Sequence, residues 1–143
     1  MATPNVELVN TVRFAMKASR ESYWPDPFRH KEAFIKLGAE LGHEVAKIFT
    51  TDNLADLATN FSSFWTTGGL GEMKVVQIEP LLIETRNCYD CAGWKLGAVA
   101  TSCRFKGRFI KTVFEDVLNK SVRIEEIECC RRQAPGCLFN IST

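Results

Sequence analysis

The chain has 143 residues, of which 45% are hydrophobic and 24% are charged, and its net charge is +1. This length fits one compact domain over residues 1–143, large enough to fold around its own core without disulfides. The balanced charge excludes binding to nucleic acid or to an acidic membrane through overall charge alone.

The N-terminus lacks the basic start and the continuous apolar stretch of a signal peptide. No apolar run in the sequence approaches the ~20 residues that a membrane span needs. We therefore expect a cytoplasmic protein with neither a membrane nor a nucleic-acid partner.

The first half of the chain has the periodicity of helices. Apolar residues recur every three or four positions over residues 5–20 and again over 27–49, which predicts two amphipathic helices. Thr51 or Asp52 is placed to cap a third helix that runs through Trp65. A glycine-rich loop follows this helix.

The second half mixes strands with one helix. Pro80 separates two apolar segments that read as strands, and we expect a bend or bulge there because proline is a poor member of a central strand. The predicted elements are strands at 73–79 and 81–88, a helix at 103–119, and strands at 121–128 and 137–142. Helices followed by strands around one helix predict an α+β fold, with an antiparallel sheet packed against helices.

Cysteine is the residue type whose distribution is most unusual. Five of the six cysteines lie between residues 88 and 130, and the sixth is Cys137. In a reducing compartment, a chain with its own core uses such a group for metal binding or redox chemistry more often than for disulfides.

The strand at 121–128 carries carboxylates on an apolar face. With a period of two, Glu126 and Glu128 share the face of Val122 and Ile124. An isolated buried carboxylate is costly, so it needs a cation or strong hydrogen bonds, and a divalent metal is one such partner.

Three cysteines are spaced to join Glu126 around a metal. Cys103 opens the helix at 103–119, where the helix dipole favours a thiolate, while Cys129 and Cys137 flank a loop that folds the last strand back. Three thiolates and one carboxylate complete a tetrahedral zinc shell with no open position, which is typical of a structural site. Two alternatives stay open, since free cysteine is also a common buried apolar residue and another cysteine, Cys130 or one of the Cys88–Cys91 pair, can supply the fourth ligand.

Residues 80–143 resemble the C-terminal half of the 4-vinyl reductase domain family. The matching positions are Cys103, Gly107, Glu126, Cys129, Gly136, Cys137 and Phe139.

This resemblance implies a structural Zn²⁺ on Cys103, Glu126, Cys129 and Cys137, beside a hydrophobic pocket for an effector, as in the aromatic-sensing domains of phenol and xylene regulators. It also implies a fold like that of vesicle-tethering subunits. Dimers are common in the family, so we expect a homodimer, with residues 1–25 as dimerisation helix and linker.

Cys88 and Cys91 form a Cys-x-x-Cys pair that is interpreted in two ways. It is either a redox pair or part of a second metal site, or else two partly buried cysteines near the zinc site. A redox role would make the protein a thiol sensor.

The expected ligand pocket is lined by Phe61, Trp65, Trp94, Phe105 and Phe109, because such pockets are mostly apolar and aromatic. No nucleophile elbow, phosphate-binding loop or His-Glu-x-x-His motif is present in the sequence.

These features favour a stand-alone domain that binds or senses a small hydrocarbon or aromatic molecule and is not an enzyme. The alternative functions are the thiol redox sensor and an accessory protein or enzyme of the vinyl-reductase type in tetrapyrrole metabolism.

Overall fold

The computed structural model describes residues 6–21, 27–87, 102–128 and 136–143, and the side chains of all of these except 19–21, 27–31 and 102–104. The described elements, in chain order, are α1 (Val6–Glu21), α2 (Pro27–Ala46), α3 (Leu54–Thr67), β1 (Glu72–Gln77), β2 (Leu81–Arg86), α4 (Ser102–Leu118), β3 (Arg123–Glu128) and β4 (Cys137–Ser142). Every predicted helix and strand is present, and the α+β class is confirmed. The second helix ends at Ala46, three residues earlier than its apolar pattern predicts.

The start of α3 differs from the prediction by one or two residues. The cap is Asn53, which has an extended backbone and whose side-chain oxygen accepts a hydrogen bond from the backbone N–H of Asp56 at 3.0 Å. Thr51 instead accepts a hydrogen bond from the backbone N–H of Asn53 at 3.2 Å. The predicted caps, Thr51 and Asp52, are therefore wrong, because the residue directly before the first helical turn satisfies its free N–H groups.

The four strands form one antiparallel sheet in the order β1-β2-β4-β3. The last strand of the chain therefore lies inside the sheet, between β2 and β3. Pro80 lies in the turn between β1 and β2 and follows a cis peptide bond, so the predicted break is a hairpin turn. The face of β2 and β4 that the helices cover consists of Leu81, Ile83, Thr85, Cys137, Phe139 and Ile141.

The α2 and α4 helices pack closely because two glycines leave room between them. A Cβ atom added to Gly38 would lie 2.7 Å from the backbone oxygen of Phe105, and one added to Gly42 would lie 2.8 Å from Cβ of Thr112. The two glycines are four residues apart, so they face the same side of α2. No larger side chain fits at this crossing without moving α4.

The α1 helix exposes two of its apolar residues, Val6 and Phe14. The homodimer expected through residues 1–25 remains a prediction. Within the described ranges, no helix has the length and hydropathy required to cross a membrane.

Candidate metal centre and aromatic cluster

Cys137 is buried at the start of β4. It pairs with Thr85 of β2, and both side chains face the helices, with about 1% of each residue exposed. The preceding residue allows this arrangement, because a Cβ atom on Gly136 would overlap the backbone oxygen of Thr85. A glycine is therefore required where the chain enters β4 beside β2.

Glu126 faces the same side of the sheet as Cys137. It pairs with Phe139 across the β3–β4 ladder, and directly opposed residues of antiparallel strands share a face. Cys137 lies two residues from Phe139 on β4 and so shares that face as well. The two predicted ligands are thus diagonal neighbours under the helices.

Glu128 does not share this face, contrary to the sequence prediction. The register shifts between Glu126 and Glu128, and Glu128 pairs with Leu138 instead of a residue of the buried row. Ile127 forms a β-bulge, which changes the side of the sheet that the end of β3 faces. Ile127 itself is exposed. Only one of the two carboxylates is therefore directed towards the predicted metal site.

The first turn of α4 lies over the start of β4. Cys103 is the second residue of α4, and Lys106, one turn later on the same side of the helix, is fully buried. The ammonium nitrogen of Lys106 is 3.5 Å from Sγ of Cys137 and 5.9 Å from the centre of the Phe139 ring. Lys106 was not predicted as a site residue, although its spacing from Phe109, Ile110 and Val113 places it on the apolar side of the helix.

The structure thus brings Cys137, Glu126 and the backbone of Cys103 to one end of the α4–sheet interface. The remaining predicted ligand, Cys129, lies outside the described residues, as do Cys88, Cys91, Trp94 and Cys130. Among the side chains that the structure describes, no three His, Cys, Asp or Glu residues form a group that would hold a metal. Glu126 and Cys137 belong to the described side chains, whereas Cys103 and Cys129 do not.

The surroundings of Cys137 suit a negatively charged ligand set. Lys106 brings a cation to its sulfur. On the other side, Oγ1 of Thr85 is buried and lacks a hydrogen-bond partner in the described part of the chain. Thiolates accept hydrogen bonds from both kinds of donor, and a deprotonated cysteine is what zinc requires. The described neighbours of Cys137 are therefore compatible with a thiolate at this position.

A second feature is an aromatic cluster between α3 and α4, formed by the predicted pocket residues Phe61, Trp65, Phe105 and Phe109. All four are fully buried. The Phe109 ring centre lies 6.1 Å from that of Phe61, 6.2 Å from that of Trp65 and 5.8 Å from that of Phe105. These rings contact one another across the two helices, so they form part of the core.

Two polar atoms are buried at the edge of this aromatic cluster. Nε1 of Trp65 and Oγ of Ser62 have no hydrogen-bond partner among the residues that the structure describes. Both residues lie on α3, three positions apart, so they share a face of the helix. Leaving such a donor unpaired in the interior costs about 1–3 kcal/mol.

His43 lies away from both features. Its Nδ1 is 2.5 Å from a carboxylate oxygen of Asp116, which joins α2 to α4 on the surface. This contact makes His43 an interhelical residue at the surface.

No protein-family model matches the chain. One curated relative, the uncharacterized protein MJ0745 of Methanocaldococcus jannaschii, is 28% identical over 102 residues, which span 71% of this chain and 53% of the relative. The chain thus covers about half the length of that relative.

Several solved structures are similar to this chain. The phenol-responsive sensory domain of the transcription activator PoxR, solved with phenol, has a TM-score of 0.54 and 11% identity over 99% of this chain and 75% of that one. A trafficking protein particle complex subunit 3 from Naegleria fowleri, covalently bound to palmitic acid, has a TM-score of 0.64 and 12% identity, covering 96% of this chain and 93% of that one. A vinyl-4-reductase family protein from M. jannaschii has a TM-score of 0.48 and 16% identity over 99% of this chain and 98% of that one. The resemblance to 4-vinyl reductase domains is confirmed at the level of the fold.

Proposed function

We propose that this chain is a binding or sensing domain for a small, mostly apolar molecule that carries one hydrogen-bond acceptor. The observation that carries the proposal is the pair of unpartnered polar atoms, on Trp65 and Ser62, beside the buried aromatic cluster. Two structures of the same fold were solved with molecules of this kind, phenol and palmitic acid. Both ligands join an apolar body to an oxygen-bearing group.

The physical basis of binding is the transfer of an apolar molecule from water into the apolar interior of the domain. An aromatic or aliphatic body is buried next to Phe61 and Phe109, and this burial contributes about 25 cal/mol per Å² of apolar surface. Its oxygen accepts a hydrogen bond from the indole N–H of Trp65, which removes the cost of an unpaired buried donor. Affinity then comes from the apolar body and orientation from the single polar contact.

The test is direct binding to the purified chain. Phenol, toluene and palmitic acid are titrated by isothermal calorimetry, and organic extracts of freshly purified protein are examined by mass spectrometry for ligands carried from the cell. We expect saturable binding of one ligand per chain, with phenol binding more tightly than toluene. The proposal fails if none of the three binds at millimolar concentration and the extracts contain no apolar molecule.

We further propose that Cys103, Glu126, Cys129 and Cys137 hold one structural zinc ion. The ion would tie the first turn of α4 to the β3–β4 hairpin and add its binding energy to folding, since the site does not exist in the unfolded chain. Three thiolates and a carboxylate leave no position for water. The zinc therefore supports the fold next to the ligand site and does no chemistry on the ligand.

Metal analysis of Cys→Ser variants tests this zinc site. We expect about one zinc per chain, lost on substitution of Cys103, Cys129 or Cys137, and retained on substitution of the three other cysteines, Cys88, Cys91 and Cys130. A folded wild-type chain that is free of metal after both aerobic and anaerobic purification would contradict it. If the Cys130 variant loses zinc and the Cys129 variant keeps it, Cys130 is the ligand and Cys129 is not.

A further inference from the structure

A lysine is an unusual residue to bury completely. Lys106 is fully buried, and transfer of an ammonium ion into a protein interior costs several kcal/mol unless negative or polar groups surround it. The apolar neighbours of Lys106 on α4, Phe105 and Phe109, cannot offset that cost. Charge must therefore be compensated at the other end of the side chain, where it meets the sheet.

The sheet offers the thiol of Cys137 at that place. The Lys106 ammonium nitrogen is 3.5 Å from Sγ of Cys137, within the range of an N–H···S hydrogen bond, and lies over the face of the Phe139 ring. A neutral thiol is a weak acceptor. A thiolate accepts a charge-assisted hydrogen bond that is roughly twice as strong, so the position of Lys106 suits a deprotonated Cys137.

The proposed zinc site creates the charge that Lys106 would balance. Four negatively charged ligands around a dication leave the ligand set with net negative charge, next to the buried side chains of Lys106 and Cys137. Groups that hydrogen-bond to metal ligands fix the ligands in place and tune the site, and their removal typically weakens metal binding about 10- to 100-fold.

We propose that Lys106 is a positioning residue of the zinc site, donating a hydrogen bond to the Cys137 thiolate and offsetting the negative charge of the ligand set. This inference rests on the zinc site of the proposed function. It adds a residue that has no direct bond to the metal, and it explains why a cation is placed in the core of the domain.

The test compares three variants of the full chain. Lys106→Met removes the charge but keeps a long apolar side chain, Lys106→Arg keeps a charged donor, and Arg108→Met removes an equal charge from an exposed position of the same helix. Zinc affinity is measured by competition with a chromophoric chelator. Thermal unfolding is followed with zinc and, separately, after zinc removal.

We expect Lys106→Met to bind zinc about 10- to 100-fold more weakly, Lys106→Arg to recover most of the loss, and Arg108→Met to match the wild type. Without zinc, Lys106→Met should unfold no earlier than the wild type, because it removes a buried charge. Equal affinities for wild type and Lys106→Met would overturn the role of Lys106 and leave the zinc site standing, as would an equal loss of stability with and without zinc. A wild-type chain that binds no zinc would overturn both, and Lys106 would then be the cation that the carboxylate and thiols require.

Discussion

Ser62 and Trp65 lie one helical turn apart on α3, and each buries a polar atom that has no hydrogen-bond partner in the described part of the chain. Trp65→Phe removes the indole N–H and keeps an aromatic ring. We expect phenol to bind this variant up to about tenfold more weakly, since one hydrogen bond contributes about 0.5–1.5 kcal/mol. Toluene, which has no oxygen, should bind both proteins about equally, and calorimetry measures both affinities. If the substitution lowers the affinities for phenol and toluene equally, Trp65 contributes through packing alone.

Ser62→Ala should raise the stability of the ligand-free chain. The substitution removes a buried hydroxyl that lacks a partner, and we expect the free energy of unfolding to rise by about 1 kcal/mol beyond the general gain of alanine in a helix. Ser63→Ala is the matched control, because Ser63 is the next residue of α3 and is exposed. Urea denaturation of both variants gives the difference. A Ser62 variant less stable than the Ser63 variant would show that the hydroxyl has a partner.

Glu126 and Glu128 should differ in their effect on zinc. The bulge in β3 places only Glu126 on the face of Cys137, so Glu126→Gln should weaken zinc binding by at least about tenfold, as expected when a charged ligand is lost. Glu128→Gln removes the same charge and should leave zinc affinity unchanged. Competition with a chelator measures the zinc affinity of both variants. The reverse order would mean that β3 pairs without the bulge when zinc is bound.

Gly38→Ala should destabilise the chain by about 1–3 kcal/mol. An added Cβ would lie 2.7 Å from a backbone oxygen of α4, and a backbone atom cannot move aside as the end of a side chain does. Gly107→Ala is the control on α4, since nothing lies within 4 Å of its added Cβ. It should stabilise the helix by about 0.5–1 kcal/mol. Denaturant midpoints of the two variants should therefore move in opposite directions.

Asn53→Ala should cost about 1 kcal/mol of stability through loss of the α3 cap. Its side chain accepts the hydrogen bond from the backbone of Asp56. Asp52→Ala changes an exposed neighbour that makes no such contact and should have an effect below about 0.5 kcal/mol. If Asp52→Ala has the larger effect in thermal unfolding, the cap has been assigned to the wrong residue.

The elements of the fold follow from the order of apolar residues along the chain. The repeat of Phe34, Leu37, Leu41 and Val45 specifies α2, and the alternation from Cys137 to Ile141 specifies β4. These are local patterns, since a helix or strand needs only one face suited to burial. The two errors in this part, the end of α2 and the cap of α3, lie at helix ends, where one hydrogen bond decides the boundary.

The candidate site could be predicted only in part. The spacing of Cys103, Glu126 and Cys137 placed them at a helix start, on a strand and at a strand start, and the structure brings these elements together. Lys106 was missed because a charged residue on a helix is expected at the surface. Lys106 is buried because the first turn of α4 packs over the start of β4, and the sequence does not show this packing.

The sequence by itself determined which segments form helices and strands and which residues on them are apolar. The tertiary structure alone decided that Glu126 faces the site while Glu128 does not, that Lys106 reaches the sulfur of Cys137, and that Gly38 touches the backbone of α4. The periodicity of a segment describes one element, whereas a bulge, a buried hydrogen bond between two elements or a close helix crossing depends on the partner element. Such a partner is selected by packing between residues far apart in the chain.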